Sequence, residues 1–209
     1  MGFRITTMLL TSVLILAHAS AAHASDTAAG KASYAVCATC HGRSGEGKRA
    51  MNAPKLAGLA GWYLKLQLEA FKSGVRGTAN GDTYGMQMRP MATTLASATA
   101  EDDLIAYIVS LPAKPAKATI AGDIEAGRVQ YEACVACHGQ NAEGNQQLSS
   151  PRLAGQDDWY LLRQIRNFNT GVRGGDPGDT VGMQMRAIAA ILTSDQQVND
   201  VLAYINTLK

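Results

Sequence analysis

The chain matches itself at a fixed offset of 97 residues, and no other feature limits its fold so strongly. Cys37-Ala38-Thr39-Cys40-His41 is answered by Cys134-Val135-Ala136-Cys137-His138, and Pro54-Lys55-Leu56-Ala57-Gly58 by Pro151-Arg152-Leu153-Ala154-Gly155. Trp62-Tyr63-Leu64 pairs with Trp159-Tyr160-Leu161, Gly74-Val75-Arg76-Gly77 with Gly171-Val172-Arg173-Gly174, and Gly85-Met86-Gln87-Met88-Arg89 with Gly182-Met183-Gln184-Met185-Arg186. The anchors align without a gap. So long a period in only two copies means duplicated domains rather than a solenoid. The 209 residues then divide into two small units, each with a limited core of its own.

The repeated Cys-x-x-Cys-His stretch supplies what those cores lack. Two thiols one helical turn apart can add across the two vinyl groups of one porphyrin, and the adjacent imidazole can then bind its iron. This is the attachment pattern of c-type haem. Cys37, Cys40, Cys134 and Cys137 are all the cysteines of the chain, so two covalently bound haem c groups are expected. A disulfide inside Cys-x-x-Cys belongs to redox enzymes with a βαβ pattern, and no strand pattern is present. A zinc site built from both pairs would leave two adjacent histidines unexplained.

The N-terminus reads as a secretory signal: Arg4, an apolar run from Met8 to Ala17, then Ala22-His23-Ala24 before Ser25. The run is too short for the ~20 residues that span a bilayer. Residues 1–24 are expected to be removed and the product to be periplasmic, without a transmembrane segment; peripheral membrane association stays open. Without Arg4, 18 basic residues face 17 acidic ones, which gives no nucleic-acid signal and says little about partners.

Histidine arithmetic narrows the iron sites. His18 and His23 lie in the signal, so His41 and His138 are the only imidazoles left, and neither iron can take two. The sixth ligand is then methionine, a weaker group or none. Met51, Met86, Met88, Met91, Met183 and Met185 remain, five of them clustered at corresponding places. Clustered methionine is ordinarily adaptable core filling. Here the stretch is glycine-rich and reads as a loop between helices, from which a thioether could reach iron. Met91 faces Ile188 across the repeat and is the weaker candidate. Met86 with Met183, and Met88 with Met185, both satisfy the repeat, and spacing does not choose between them.

Elsewhere the periodicity is helical, and the fold class is all-α. Asp26 and Asp123 can cap helices that run into the cysteines. Leu64, Leu68 and Phe71, like Leu161, Ile165 and Phe168, mark an apolar face of period 3.6, starting near Gly61 and Asp157-Asp158. Gly74 and Gly171 sit where a terminating glycine would stop that helix. A last helix carries Leu104, Ile105, Ile108 and Leu111, matched by Val201, Leu202, Ile205 and Leu208, with Ser194 and Gln197 as a capping box. Domains are placed at 25–112 and 123–209. The proline-spaced segment 113–122 is read as a semi-rigid linker.

In combination these motifs resemble the dihaem cytochrome c4 family over nearly the whole chain after residue 24. The resemblance implies two tandem class I cytochrome c domains with His/Met iron. The family's axial methionine matches the one directly before Arg186, which makes Met185 and, through the repeat, Met88 the expected partners of His138 and His41. It also implies that the carbonyls of Pro54 and Pro151 accept from those imidazoles. Arg76, Arg173, Arg89 and Arg186 are either propionate partners or solvated charges. Trp62, Trp159, Tyr34 and Tyr131 are expected to pack the core. The implied function is a soluble electron carrier, not an enzyme, between a quinol-oxidising complex and a terminal oxidase. The alternatives are an electron-transfer subunit of a periplasmic dehydrogenase, or an enzyme, a dihaem peroxidase or thiosulfate-type oxidoreductase, with one replaceable or absent ligand.

Overall fold

The structure, a computed structural model, describes residues 25–208; the expected signal segment 1–24 lies outside them. Eight α-helices are described, four per repeat: α1 Thr27–His41, α2 Gly61–Ser73, α3 Thr83–Thr93, α4 Ala98–Ser110, α5 Ile124–His138, α6 Asp158–Asn169, α7 Thr180–Ala189 and α8 Asp195–Ile205. The described residues contain no strand, only isolated bridges Lys48–Ala53 and Asn145–Ser150 beside short 3-10 turns at Arg49–Met51 and Gln146–Leu148.

Each repeat is built on the crossing of its first and last helices. The Asp26 carboxylate accepts from the N–H groups of Ala28 and Ala29, and Asp123 does the same for Glu125 and Ala126, so both helices start at a side-chain cap. The crossing is tight. A Cβ on Gly30 would lie 2.0 Å from the Asp103 carbonyl oxygen, and one on Gly127 equally close to that of Asp200. Only glycine lets the two backbones approach this far. Tyr34 then stacks obliquely on Tyr107 and Tyr131 on Tyr204, with centroids 5.3 and 5.4 Å apart.

The apolar faces expected on α2, α4, α6 and α8 are buried. Leu64, Leu68, Phe71, Leu104, Ile105 and Ile108 share one cluster with Tyr34; Leu161, Ile165, Phe168, Val201, Leu202 and Ile205 share another with Tyr131. Gly74 ends α2 in the left-handed conformation, at φ 86°.

The methionine stretches depart from the expected loop. They are helices α3 and α7, started by Asp82 and Asp179, whose carboxylates accept from Gly85 and Gly182 and from the preceding Gly77 and Gly174. Glycine content suggested a loop, but the glycines make room for these caps: a Cβ on Gly85 would overlap the Asp82 carboxylate. The chain between the repeats is held by Asp158 at the start of α6. Its carboxylate accepts from Thr119 N and Oγ1, Ile120 N, Trp159 N and Asn206 Nδ2. Burial alone would raise its pKa; these hydrogen bonds outweigh that and hold it below the usual carboxylate range.

Candidate haem sites

The end of each first helix turns its motif inward. His41 and His138 are buried, and each Nδ1 lies 2.8 Å from a proline carbonyl, of Pro54 and Pro151 respectively. A carbonyl only accepts, so Nδ1 carries the proton and Nε2 keeps its lone pair. Burial pushes both imidazoles below the ordinary pKa, the proline hydrogen bond opposing it, so the rings are neutral bases. Tyr34 and Tyr131 pin the turn after each motif by donating to the carbonyls of Gly42 and Gly139 at 2.7 and 2.9 Å. Burial holds these phenols protonated and pushes Tyr34 up to about 12. It also raises the Cys37 thiol, and the Cys134 thiol to about 11. Among the described residues, no group of three or more His, Cys, Asp and Glu side chains could hold a metal ion by itself.

In the second repeat these groups meet in a cavity of about 410 Å³ that extends to the interface between the repeats. Cys134, Cys137, His138, Leu153, Ile165, Phe168 and Met185 line it. Met183 does not, and it is 41% exposed, while Met185 packs against the buried cluster. The first repeat divides its methionines likewise: Met88 packs against the core and Met86 is 48% exposed.

The cavity lining joins Arg76 and Arg173, two of the expected propionate partners, to glutamines the motifs did not identify. Gln67 and Arg76 meet Gln164 and Arg173 in a crossed arrangement between the two repeats. Each arginine donates to the glutamine of its own repeat and also across, Arg76 to Gln164 at 3.5 Å and Arg173 to Gln67 at 3.4 Å. Both guanidiniums are buried, lie against Phe71 and Phe168, and have an Nε without a partner. Burial, with the like charge of Arg76 next in weight, lowers the pKa of Arg173. Tyr63 and Tyr160 line the same space. Arg89 and Arg186, by contrast, are exposed. Trp159 is buried but, like Trp62, does not line the cavity. Tyr63/Gln67 and Tyr160/Gln164 recur at one-turn helical spacing and in both repeats, which was the available sequence signal.

The interface also takes polar anchors. Lys55 is buried, donates through Nζ to the Gly155 carbonyl at 2.7 Å and through its backbone to Asp157 at 3.0 Å, and accepts from Gln156. Arg163 donates to Asn52 and covers the Tyr84 ring at 4.1 Å.

These residues fit a haem. An apolar slot carries two thiols and a neutral imidazole at one wall, and two buried cations short of anionic partners suit propionate carboxylates. Four-helix units of this kind, each with its own attachment motif, define a dihaem c-type cytochrome. A family model described as Cytochrome c matches residues 27–112 and again 124–209. Cytochrome c4 of Azotobacter vinelandii is 37% identical over 225 residues, 100% of both chains. A thiosulfate dehydrogenase electron acceptor of Stutzerimonas stutzeri is 34% identical, over 81% of this chain and 77% of its own. The crystal structure of reduced recombinant cytochrome c4 from Pseudomonas stutzeri superposes with a TM-score of 0.68 at 30% identity, covering 89% of this chain and 100% of that one. The chain belongs to the cytochrome c family, and within it to the dihaem cytochrome c4 proteins. It is an electron-transfer protein that carries two covalently bound haem c groups.

Proposed function

We propose that the chain is a periplasmic carrier that accepts electrons from a quinol-oxidising complex and delivers them to a terminal oxidase. Cys37, Cys40, Cys134 and Cys137 are the attachment points, and His41 with Met88 and His138 with Met185 the axial ligands. Bound haem supplies a one-electron iron couple whose potential a thioether ligand raises. The residues do the rest. Pro54 and Pro151 hold each imidazole proton on Nδ1 and aim Nε2 into the slot; burial keeps both rings neutral. Arg76 and Arg173 offer their free Nε groups to carboxylates at the interface, and the apolar walls exclude water.

The observation that carries this reading is the division of the methionines, with Met185 lining the same cavity as His138 while Met183 is exposed and does not line it. Held by a histidine and a methionine, each iron would be left no ready place for oxygen or peroxide. Replacing Met185 by Ala in the holoprotein tests it. The Fe–S charge-transfer band at the red end of the spectrum is expected to fall to about half, the Met88 site keeping its share. Full retention of the band would overturn the assignment.

A second reading of the donor has its own support, since a relative bears the name thiosulfate dehydrogenase electron acceptor. In that reading a periplasmic dehydrogenase, rather than a quinol-oxidising complex, reduces the chain. Stopped-flow mixing of the oxidised holoprotein with each reduced donor separates the two.

A further inference from the structure

The two domains share a fold and differ in charge. Residues 25–112 carry nine basic and seven acidic side chains; residues 123–209 carry seven basic and ten acidic. Near-neutrality of the whole chain conceals this polarity. Much of it lies on the attachment helix and the loop behind it. At five paired positions the first domain is more positive by one charge: Ala28 against Glu125, Ala35 against Glu132, Arg43 against Gln140, Lys48 against Asn145 and Arg49 against Gln146. All ten side chains are exposed except Asn145, which is half-buried. Glu46 and Glu143 occupy the same place in both domains, each accepting a backbone N–H at 2.8 Å, so they do not contribute to the difference.

The cations stand beside the first attachment motif. Lys48 Nζ donates to the Thr39 carbonyl at 2.9 Å, between the two cysteines of the first motif. Arg49 opens the 3-10 turn that Met51 ends; the counterpart of Met51, Leu148, lines the second cavity. At the second motif the matching residues, Gln140, Asn145 and Gln146, are neutral amides.

We propose that Arg43, Lys48 and Arg49 form a docking surface on the first domain for an acidic redox protein, so that the two crevices receive different partners. This rests on the electron-carrier reading. Charge of this kind steers encounter and sets orientation more than it adds affinity. Three cations fall short of the four to eight that mark anionic-lipid binding. Val36 and Met51, the exposed apolar residues beside them, do not make the apolar face of an interfacial helix.

The test uses the full-length holoprotein and an acidic plant-type ferredoxin as the probe. Amide chemical-shift mapping is expected to place the footprint on residues around 28–49. Arg43→Gln/Lys48→Asn/Arg49→Gln, which installs the second repeat's residues, is expected to remove it and to slow association roughly tenfold at low ionic strength, within the range of electrostatic steering. Gln140→Arg/Gln146→Arg is expected to create a second footprint. A footprint on the second crevice, one spread over Lys65, Lys72, Lys114 and Lys117, or one the triple variant leaves unchanged would overturn the proposal. So would binding of phosphatidylglycerol vesicles at these residues in the absence of a ferredoxin footprint. None of these results touches the carrier reading, because the axial-ligand spectrum and the uptake of electrons from dithionite are independent of the patch.

Discussion

Asp158 offers the sharpest test of how the second domain is held. It is 1% exposed and sits at the first turn of α6, where a negative charge also suits the helix dipole. Its paired position in the first domain is Gly61, so nothing there can substitute. Asp158→Ala strands the N–H groups of Thr119 and Ile120 and the Asn206 amide, which donate at 2.5, 2.8 and 3.1 Å. A stranded donor costs about 1–3 kcal/mol when buried, and Thr119 is open enough for water to recover part of that. We expect a loss of about 3 kcal/mol, or roughly 15 °C in the melting of a domain this size, read by urea and thermal unfolding of the holoprotein. The pH dependence gives a second check. The carboxyl is depressed in the folded state, so its contribution is fully present above the unfolded value near 3.9 and is lost as pH falls through the lower folded value. The gap between wild type and Asp158→Asn should therefore close in strong acid and stay constant from about pH 5 upward. A loss below about 1 kcal/mol at neutral pH, or a gap that widens in acid, would refute the reasoning.

Three further outcomes follow from the packing. Gly30→Ala and Gly127→Ala each place a Cβ about 2.0 Å from a carbonyl of the crossing helix, and are expected to destabilise by at least 1–3 kcal/mol in chemical denaturation. Tyr34→Phe removes the bond to the Gly42 carbonyl at a cost of about 1 kcal/mol, and in wild type the Tyr34 phenolate should not appear by ultraviolet titration below about pH 11. Arg163→Ala removes contacts with Asn52 and Tyr84 across the interface, and amide hydrogen exchange should quicken around both of those residues while the centres of α1 and α5 stay protected.

Much of this architecture was legible because it is written locally. The capping aspartates Asp26 and Asp123, the period of Leu64, Leu68 and Phe71, and the doubled attachment motif are short-range patterns with direct physical meaning. The methionine stretches read as loops in the sequence and fold as helices α3 and α7. Gly85 and Pro90 are weak helix residues, and the Asp82 cap that offsets them works through a side-chain geometry no propensity reports. The interface was not legible either. Buried Lys55 and the glutamines Gln67 and Gln164 look like ordinary surface polar residues in a linear chain, and the sequence left Arg76 and Arg173 open between propionate partners and solvated charges. They meet where the two repeats pair in space, and there Arg76 and Arg173 are buried while Arg89 and Arg186 stay exposed. Whole-chain charge was uninformative for the opposite reason, since two domains of unlike charge sum to near neutrality.

The central claim is that both irons are closed by protein ligands and serve to hold electrons. It is tested most directly by exposing the oxidised holoprotein to cyanide while following the Fe–S band and, in parallel, titrating the electrons it takes up. The account predicts two electrons per chain and a band from both sites that cyanide removes only slowly. Rapid cyanide binding at one site, with loss of half the band, would show an iron with a replaceable ligand and contradict it.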